Sequence, residues 1–163
     1  MNEIFNKLTS YNIFNCLLPG IIFSIIFEKI THIKISQSNA IIDLFVYYFL
    51  GMTIGRFGSL FIEPILKKMS IIKIFDYNRY IKAEEKDKKI SLLLEVSNSY
   101  RTIFALLFIT LIISIIKYSQ SMALNIGKVA IILFFSLIFL FSYRKQNDYI
   151  NKRIDMYNKE EEK

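Results

Sequence analysis

Hydrophobic positions gather into four apolar runs, residues 8–27, 40–62, 102–118 and 126–143, and the segments between them mix charged with apolar residues. The 20 uncharged residues from Leu8 to Phe27 reach about 30 Å as a helix, the thickness of a hydrocarbon core. The pattern predicts an all-α integral membrane fold of four transmembrane helices, forming one domain over residues 1–163. The third and fourth runs are short: 15 uncharged residues separate Arg101 from Lys117, and 15 separate Lys128 from Arg144. Either flanking lysine and arginine side chains snorkel to the interface, or a ring of subunits thins its bilayer.

Between the runs, helical periodicity continues. Ile4, Phe5, Leu8 and Tyr11 suit a helical lead-in over residues 2–14 lying at the interface. Pro19-Gly20 predicts a kink in the first span. Glu63-Pro64 predicts the start of a new amphipathic helix, 64–75, carrying Ile65, Leu66, Met69, Ile72 and Phe75 on one side. From Arg79 no proline or glycine intervenes until Gly127, so one long helix is expected to climb from the charged stretch into the third span. Tyr143, Ile150, Ile154 and Tyr157 continue a stripe beyond the fourth span, which predicts a helical tail over 144–163 whose last residues, Glu160 to Lys163, fray.

Charge then orients the spans. Segments 1–7, 63–101 and 144–163 share one side and hold 16 of the 21 lysines and arginines. Only Lys29, Lys34, Lys117 and Lys128 fall on the other side, and Arg56 sits inside a span. The positive-inside rule places both termini and a long helical hairpin, 64–101, in the cytoplasm. The net charge of +7 follows from this topology. Acidic residues are interleaved with the basic ones, unlike the concentrated stripe of a phosphate-binding face, so direct nucleic-acid binding is not expected. The first span lacks a basic n-region and a small-x-small cleavage site, which reads as a retained anchor.

Catalytic signals are thin. Cys16 and His32 are the only residues of their kinds, so neither an intrachain disulfide nor a zinc site is expected, and no cofactor is implied. No nucleophile has a base beside it, and we expect no enzyme. Two constellations remain. Gly51, Gly55 and Gly58 share a face of the second span, where small residues let helices approach closely, either within the chain or between subunits. Arg56, Glu63, Glu95, Asn98 and Arg101 sit at similar depth and form a candidate polar cluster at the inner mouth. Arg56 either snorkels to inner-leaflet phosphates or meets a partner such as Glu95, of its own or a neighbouring chain.

Three fragments carry a resemblance: Phe14-Asn15-Cys16-Leu17-Leu18-Pro19-Gly20, Gly55-Arg56-Phe57-Gly58-Ser59 through Glu63-Pro64, and Glu95 through Asn98-x-Tyr100-Arg101-Thr102. Together they resemble small four-span membrane proteins of bacterial antiphage defence loci. The resemblance implies a membrane-embedded effector or sensor of the bacterial inner membrane that works with a cytoplasmic protein partner and compromises the membrane during infection. Homo-oligomers in the lipid bilayer are expected on that reading. The alternatives are a non-conducting scaffold for a soluble protein and a small-solute transporter.

Overall fold

A computed structural model describes residues 12–121 and 126–159, all-helical with no strand among them. Most of the expected lead-in helix and the fraying Glu160–Lys163 segment lie outside the described residues. The helices are α1 (Leu18–Thr31), α2 (Ala40–Phe57), α3 (Glu63–Lys68), α4 (Tyr77–Lys86), α5 (Lys89–Ser121) and α6 (Ile126–Lys159). Single π turns, Ile13–Leu17 and Gly58–Ile62, precede α1 and α3. Three helical runs, Ala40–Lys68, Lys89–Lys117 and Ile126–Tyr157, are long and apolar enough to cross a membrane. Their outward surfaces fit that solvent: Ile41 and Phe45 are 71% and 70% exposed, and Phe49, Leu60, Phe134 and Phe141 are exposed as well. The buried positions combine a few large apolar side chains, Ile54, Ile62 and Leu106, with small or hydroxylated ones, among them Ser24, Thr102, Ala105, Thr110 and Ser136. In lipid, close packing of small residues, not burial of large ones, holds helices together.

The two π turns explain how helices continue through proline. A proline in a helix lacks the N–H for the carbonyl four residues back, and its ring strikes that carbonyl. Here Pro19 and Pro64 each follow a π turn by two residues. Leu18 N–H donates to Ile13 C=O, and Glu63 N–H donates to Gly58 C=O, each five residues back. The widened turn displaces the carbonyls that the proline rings would meet. The helical segment at Pro64, α3, therefore continues the line of α2 and is not the separate amphipathic helix 64–75 that the sequence predicts. Ala40–Lys68 runs on through Pro64 for 29 residues and stops at Lys68, well short of Phe75. Its end is closed by Ser70 at φ 57°, with Ser70 N–H donating to Lys67 C=O and Ile71 N–H to Leu66 C=O. That is a Schellman end with serine in glycine's usual place.

α1 and α2 are antiparallel and touch backbone to backbone. A Cβ on Gly20 would lie 1.7 Å from Tyr47 O, and one on Gly51 would lie 1.7 Å from Cys16 O. The short connection between these helices is tied by carboxylates. Glu28 accepts from Ile35 N–H at 2.6 Å and Ser36 N–H at 3.0 Å, and these bonds pull its carboxyl below the usual carboxylate range. Asp43 accepts from Ser36 Oγ and Gln37 N–H, and Asn39 caps α2. His32 lies exposed at the end of α1 in the left-handed region. α5 is the hub, packing on α1, α2 and α6.

With 33 and 34 residues, α5 and α6 measure about 50 Å, some 20 Å more than a hydrocarbon core. Their extended ends carry a second core: Ala83 of α4, Ile90 of α5, and Ile150 and Ile154 of α6, flanked by Phe75, Tyr80, Leu93 and Tyr157. The stripe read beyond the fourth span packs here, inside the same chain. The single long helix expected from Arg79 is broken at Asp87, which takes extended geometry (φ −141°, ψ 96°). Asp87 Oδ1 accepts from Lys89 N–H at 3.0 Å, capping α5, while Oδ2 accepts from Arg153 Nε at 2.5 Å and Tyr157 OH at 3.2 Å. Asp87 thus ends α4 with its backbone, while its carboxylate caps α5 and fastens the junction to α6.

Arg153 beside Asp87 holds its carboxyl below the usual carboxylate range; burial opposes this, and the Lys89 and Tyr157 donors assist. A folded-state value below the unfolded one (about 4) stabilises the fold above that pH, and the contribution disappears as pH falls through the folded value. Hydrogen exchange of α4 amides, corrected for intrinsic rates, should therefore hold steady from pH 7 to about 5 and lose protection below about 4. Asp87→Asn should already be less protected at pH 7 and show a smaller acid loss. Equal profiles for the two proteins would contradict the clamp.

Candidate functional site

Three helices converge on Glu63. The π turn Gly58–Ile62 keeps Ile54, Gly58, Ile62 and Leu66 on one buried stripe, so Glu63 is carried to the edge of the core beside α5 and α6. Its Oε2 is ion-paired with Arg101 Nη1 of α5 and accepts from Tyr143 OH of α6 at 3.1 Å. The Glu63 and Arg101 side chains are 22% and 16% exposed, and Tyr143 is 2% exposed. Arg101 Nε is buried without a partner among the described residues. A pair this enclosed contributes through what its loss would leave behind: removing one partner strands the other charge, at about 3 kcal/mol.

A second polar contact joins α5 to the first helix. The Thr102 hydroxyl lies 2.8 Å from Asn15 Oδ1 and 2.9 Å from Asn98 C=O, one proton between two acceptors. Thr102 fits because α2 presents glycine there: a Cβ on Gly55 would sit 3.3 Å from Thr102 Oγ1. One turn on, a Cβ on Gly58 would sit 3.3 Å from both Ala105 Cβ and Arg101 Cγ. The glycine face thus seats two helices of its own chain, Gly51 against the Cys16 turn and Gly55 and Gly58 against α5.

The inner-mouth cluster divides. Glu63 and Arg101 meet, and Asn98 sits one turn before Thr102, accepting its hydroxyl. Glu95 is half-buried on α5, and its backbone carbonyl accepts from Ser99 Oγ at 3.1 Å. Arg56 does not pair with Glu95. It is exposed on the outer surface of α2 and makes no ion pair with any described residue. Depth had put Arg56 and Glu95 at one level, but the helices turn Arg56 outward.

Three contributors escaped the reading of the sequence. Tyr143 stood only in a stripe beyond the fourth span, Asn15 only in a fragment that carries the resemblance, and Asp87 only in the charged stretch. Asp87 did carry a signal, an N-cap residue three before Ile90. Among the described residues, no three of His, Cys, Asp and Glu gather closely enough to hold a metal ion. What the junction does show is helix joining: Glu63, Arg101 and Tyr143 bring α3, α5 and α6 together. No protein-family model, curated protein or solved structure matches the chain.

Two measurements test this geometry. In a double-mutant cycle read by thermal unfolding in detergent, Glu63→Gln and Arg101→Gln should each cost about 3 kcal/mol and together much less than their sum. Tyr143→Phe should cost about 1 kcal/mol, and Arg56 should show no coupling to Glu95. Among the glycines, Gly51→Ala should destabilise by about 3 kcal/mol, since its Cβ meets backbone. Gly55→Ala should be near neutral, because the gain in helix propensity of about 1 kcal/mol offsets a mild contact. Equal costs at Gly51 and Gly55 would contradict the packing.

Proposed function

We propose that this chain is a four-span protein of the bacterial inner membrane that assembles into oligomers and acts as an effector or sensor, in antiphage defence, triggered through its cytoplasmic helices. On this reading α1 with its π turn is the fourth crossing. The excess of lysine and arginine on the side of residues 63–101 and 144–163 faces the cytoplasm.

Arg56 carries the proposal. An arginine facing hydrocarbon costs about 2.5–3.5 kcal/mol on insertion scales. Its seven-residue distance from Glu63 corresponds to roughly 10 Å of helix. Met52, Thr53 and Leu60 are exposed around it. A carboxylate or carbonyl from a neighbouring subunit would remove this cost, so the Arg56 face is the natural subunit interface. The α4–α5–α6 cap, built on its own small core, is the surface that a cytoplasmic partner would engage.

A second reading, a non-conducting scaffold, is favoured by one observation. The interior between the helices is filled by Ile54, Ile62, Ala105, Leu106 and Tyr143, which leaves a single chain no aqueous path. Conduction would need a ring of subunits.

Native mass spectrometry in detergent should find an oligomer for the wild-type protein and a monomer for Arg56→Glu, with unchanged helicity. A wild-type monomer would refute assembly. A voltage-sensitive dye then separates the two readings: depolarisation on expression, lost in Arg56→Glu, supports the effector, whereas sustained polarisation by an assembled protein leaves the scaffold.

A further inference from the structure

Two cavities lie end to end along the side of the bundle where α5 meets α6. The first, about 300 Å³, is lined only by apolar side chains, including Leu18, Pro19 and Ile22 of α1, Leu107 of α5, and Phe135 and Phe139 of α6. The second, about 510 Å³, is lined by Tyr100, Ser142, Lys145, Asp148, Tyr149 and Lys152, together with Gln146. Helical spacing makes them one groove. Positions 135, 139, 142, 146 and 149 follow each other by three or four residues on α6, and positions 100, 103 and 107 do so on α5. The Tyr100 and Phe139 rings, with centroids 6.2 Å apart, mark where one cavity gives way to the other.

The change in lining coincides with a change in depth. The apolar run of α6 ends at Tyr143, and Arg144-Lys145 begins its charged part. The apolar cavity therefore lies at hydrocarbon depth and the polar one at the headgroup layer. Lys145 is exposed two residues past the boundary, and Lys152 is exposed about 10 Å further along the helix. Both stems are long enough to bring their ammonium groups back toward a headgroup. Asp148 opposes them, so the pocket carries two positive charges and one negative. Gln146 is occupied elsewhere, donating to Leu93 C=O at 3.0 Å. The Tyr149 hydroxyl is shared with Arg153, and the Tyr100 and Ser142 hydroxyls remain as neutral donors.

The geometry points to a binding site for one anionic glycerophospholipid, with an acyl chain in the apolar cavity and the phosphate between Lys145 and Lys152. The occupant is specified by the combination. A soluble anion has no use for the apolar half, and a zwitterionic lipid brings its own cation to lysines that want a net negative charge. A second protein copy would bury two lysines and an aspartate that the groove leaves without partners of its own. The site shares no residue with the Arg56 face and does not rest on assembly there.

The test uses delipidated protein in neutral detergent with three probes: phosphatidylglycerol, phosphatidylcholine and soluble glycerol phosphate. Native mass spectrometry should show one phosphatidylglycerol retained per chain, at least tenfold more tightly than phosphatidylcholine, and no retained glycerol phosphate. At about 1 kcal/mol for each lysine near the phosphate, Lys145→Gln with Lys152→Gln should weaken phosphatidylglycerol roughly tenfold or more and leave phosphatidylcholine unchanged. Asp148→Asn should tighten it. Leu107→Trp, which fills the apolar half, should weaken both lipids. Circular dichroism and thermal unfolding in detergent without lipid check that each variant folds.

Equal retention of the two lipids would overturn the role of the lysines, and binding of glycerol phosphate as tight as that of lipid would overturn the role of the apolar half. Cross-linking between chains through cysteines placed at 107 and 139 would show a second copy seated in the groove and overturn the lipid assignment. Arg56→Glu should still retain the lipid, so failure of assembly and failure of this site are separately visible.

Discussion

Hydrocarbon offers no hydrogen bonds, and that constraint organises the part of this chain built to cross a membrane. Each polar group at that depth has to find its partner within the protein. The hydroxyls of Thr53, Thr110, Ser114 and Ser136 turn back to carbonyls four residues earlier, at 2.7 to 2.9 Å. The two prolines stand behind π turns, so that the helices bend their bonding pattern rather than open it. Glu63 carries both an arginine and a tyrosine. Arg56 is exposed on the outer surface and makes no ion pair with any described residue, so on the proposed reading its partner comes from a neighbouring subunit.

The same helices obey the opposite rule past residue 143. On α6 the exposed positions between 131 and 141 are Ile, Leu and Phe, with Ser136 buried. Beyond Arg144 the buried positions are Ile150 and Ile154 together with Asn147, whose amide donates to Tyr143 C=O, while Arg144, Lys145 and Lys152 face out. A single unbroken helix thus passes from one solvent to another and inverts its polarity without changing its axis. The extended part becomes an ordinary water-facing core, fastened by Asp87–Arg153, by Arg79–Asp155 at 2.9 Å and by Asn151 donating to Lys73 C=O. The exposed Arg79–Asp155 pair is worth about 1 kcal/mol or less. Asp87 matters more, because its carboxylate also caps the start of α5.

What could be read from the sequence follows from which physics is local. Length and apolarity of a run are local, so the runs 40–62, 102–118 and 126–143 were legible as helices, though not where Ala40–Lys68 ends or where Lys89–Lys117 begins. The shared face of Gly51, Gly55 and Gly58 was legible from spacing alone, but spacing could not say which helix fills it. Pro64 does stand in the first turn of α3, but the rule that places it there could not show that a π turn, which needs no special residue, joins α3 to α2. The break at Asp87 was hidden because its partners, Arg153 and Tyr157, lie 66 and 70 residues away. Depth grouped Arg56 with Glu95, yet pairing depends on rotation about each helix axis. Rotation is decided by packing between helices, and the junction took Glu63 instead, 38 residues from Arg101.

Length turns α5 and α6 into levers. Each runs without interruption from the second core, where Ile90, Ile150 and Ile154 are buried, to the far side of the apolar region. A helix is stiff along its axis, so a partner that shifted the cap would have to tilt or turn these two helices against α2. Gly55 and Gly58 let α5 approach α2 closely, and close-packed surfaces move between discrete arrangements rather than deform smoothly. Across that seam Glu63 is ion-paired with Arg101 and accepts from Tyr143, a joint drawing on three helices, and it lies two turns from Arg56. On the proposed reading, an event at the cap therefore reaches the membrane at the place where the subunit interface begins.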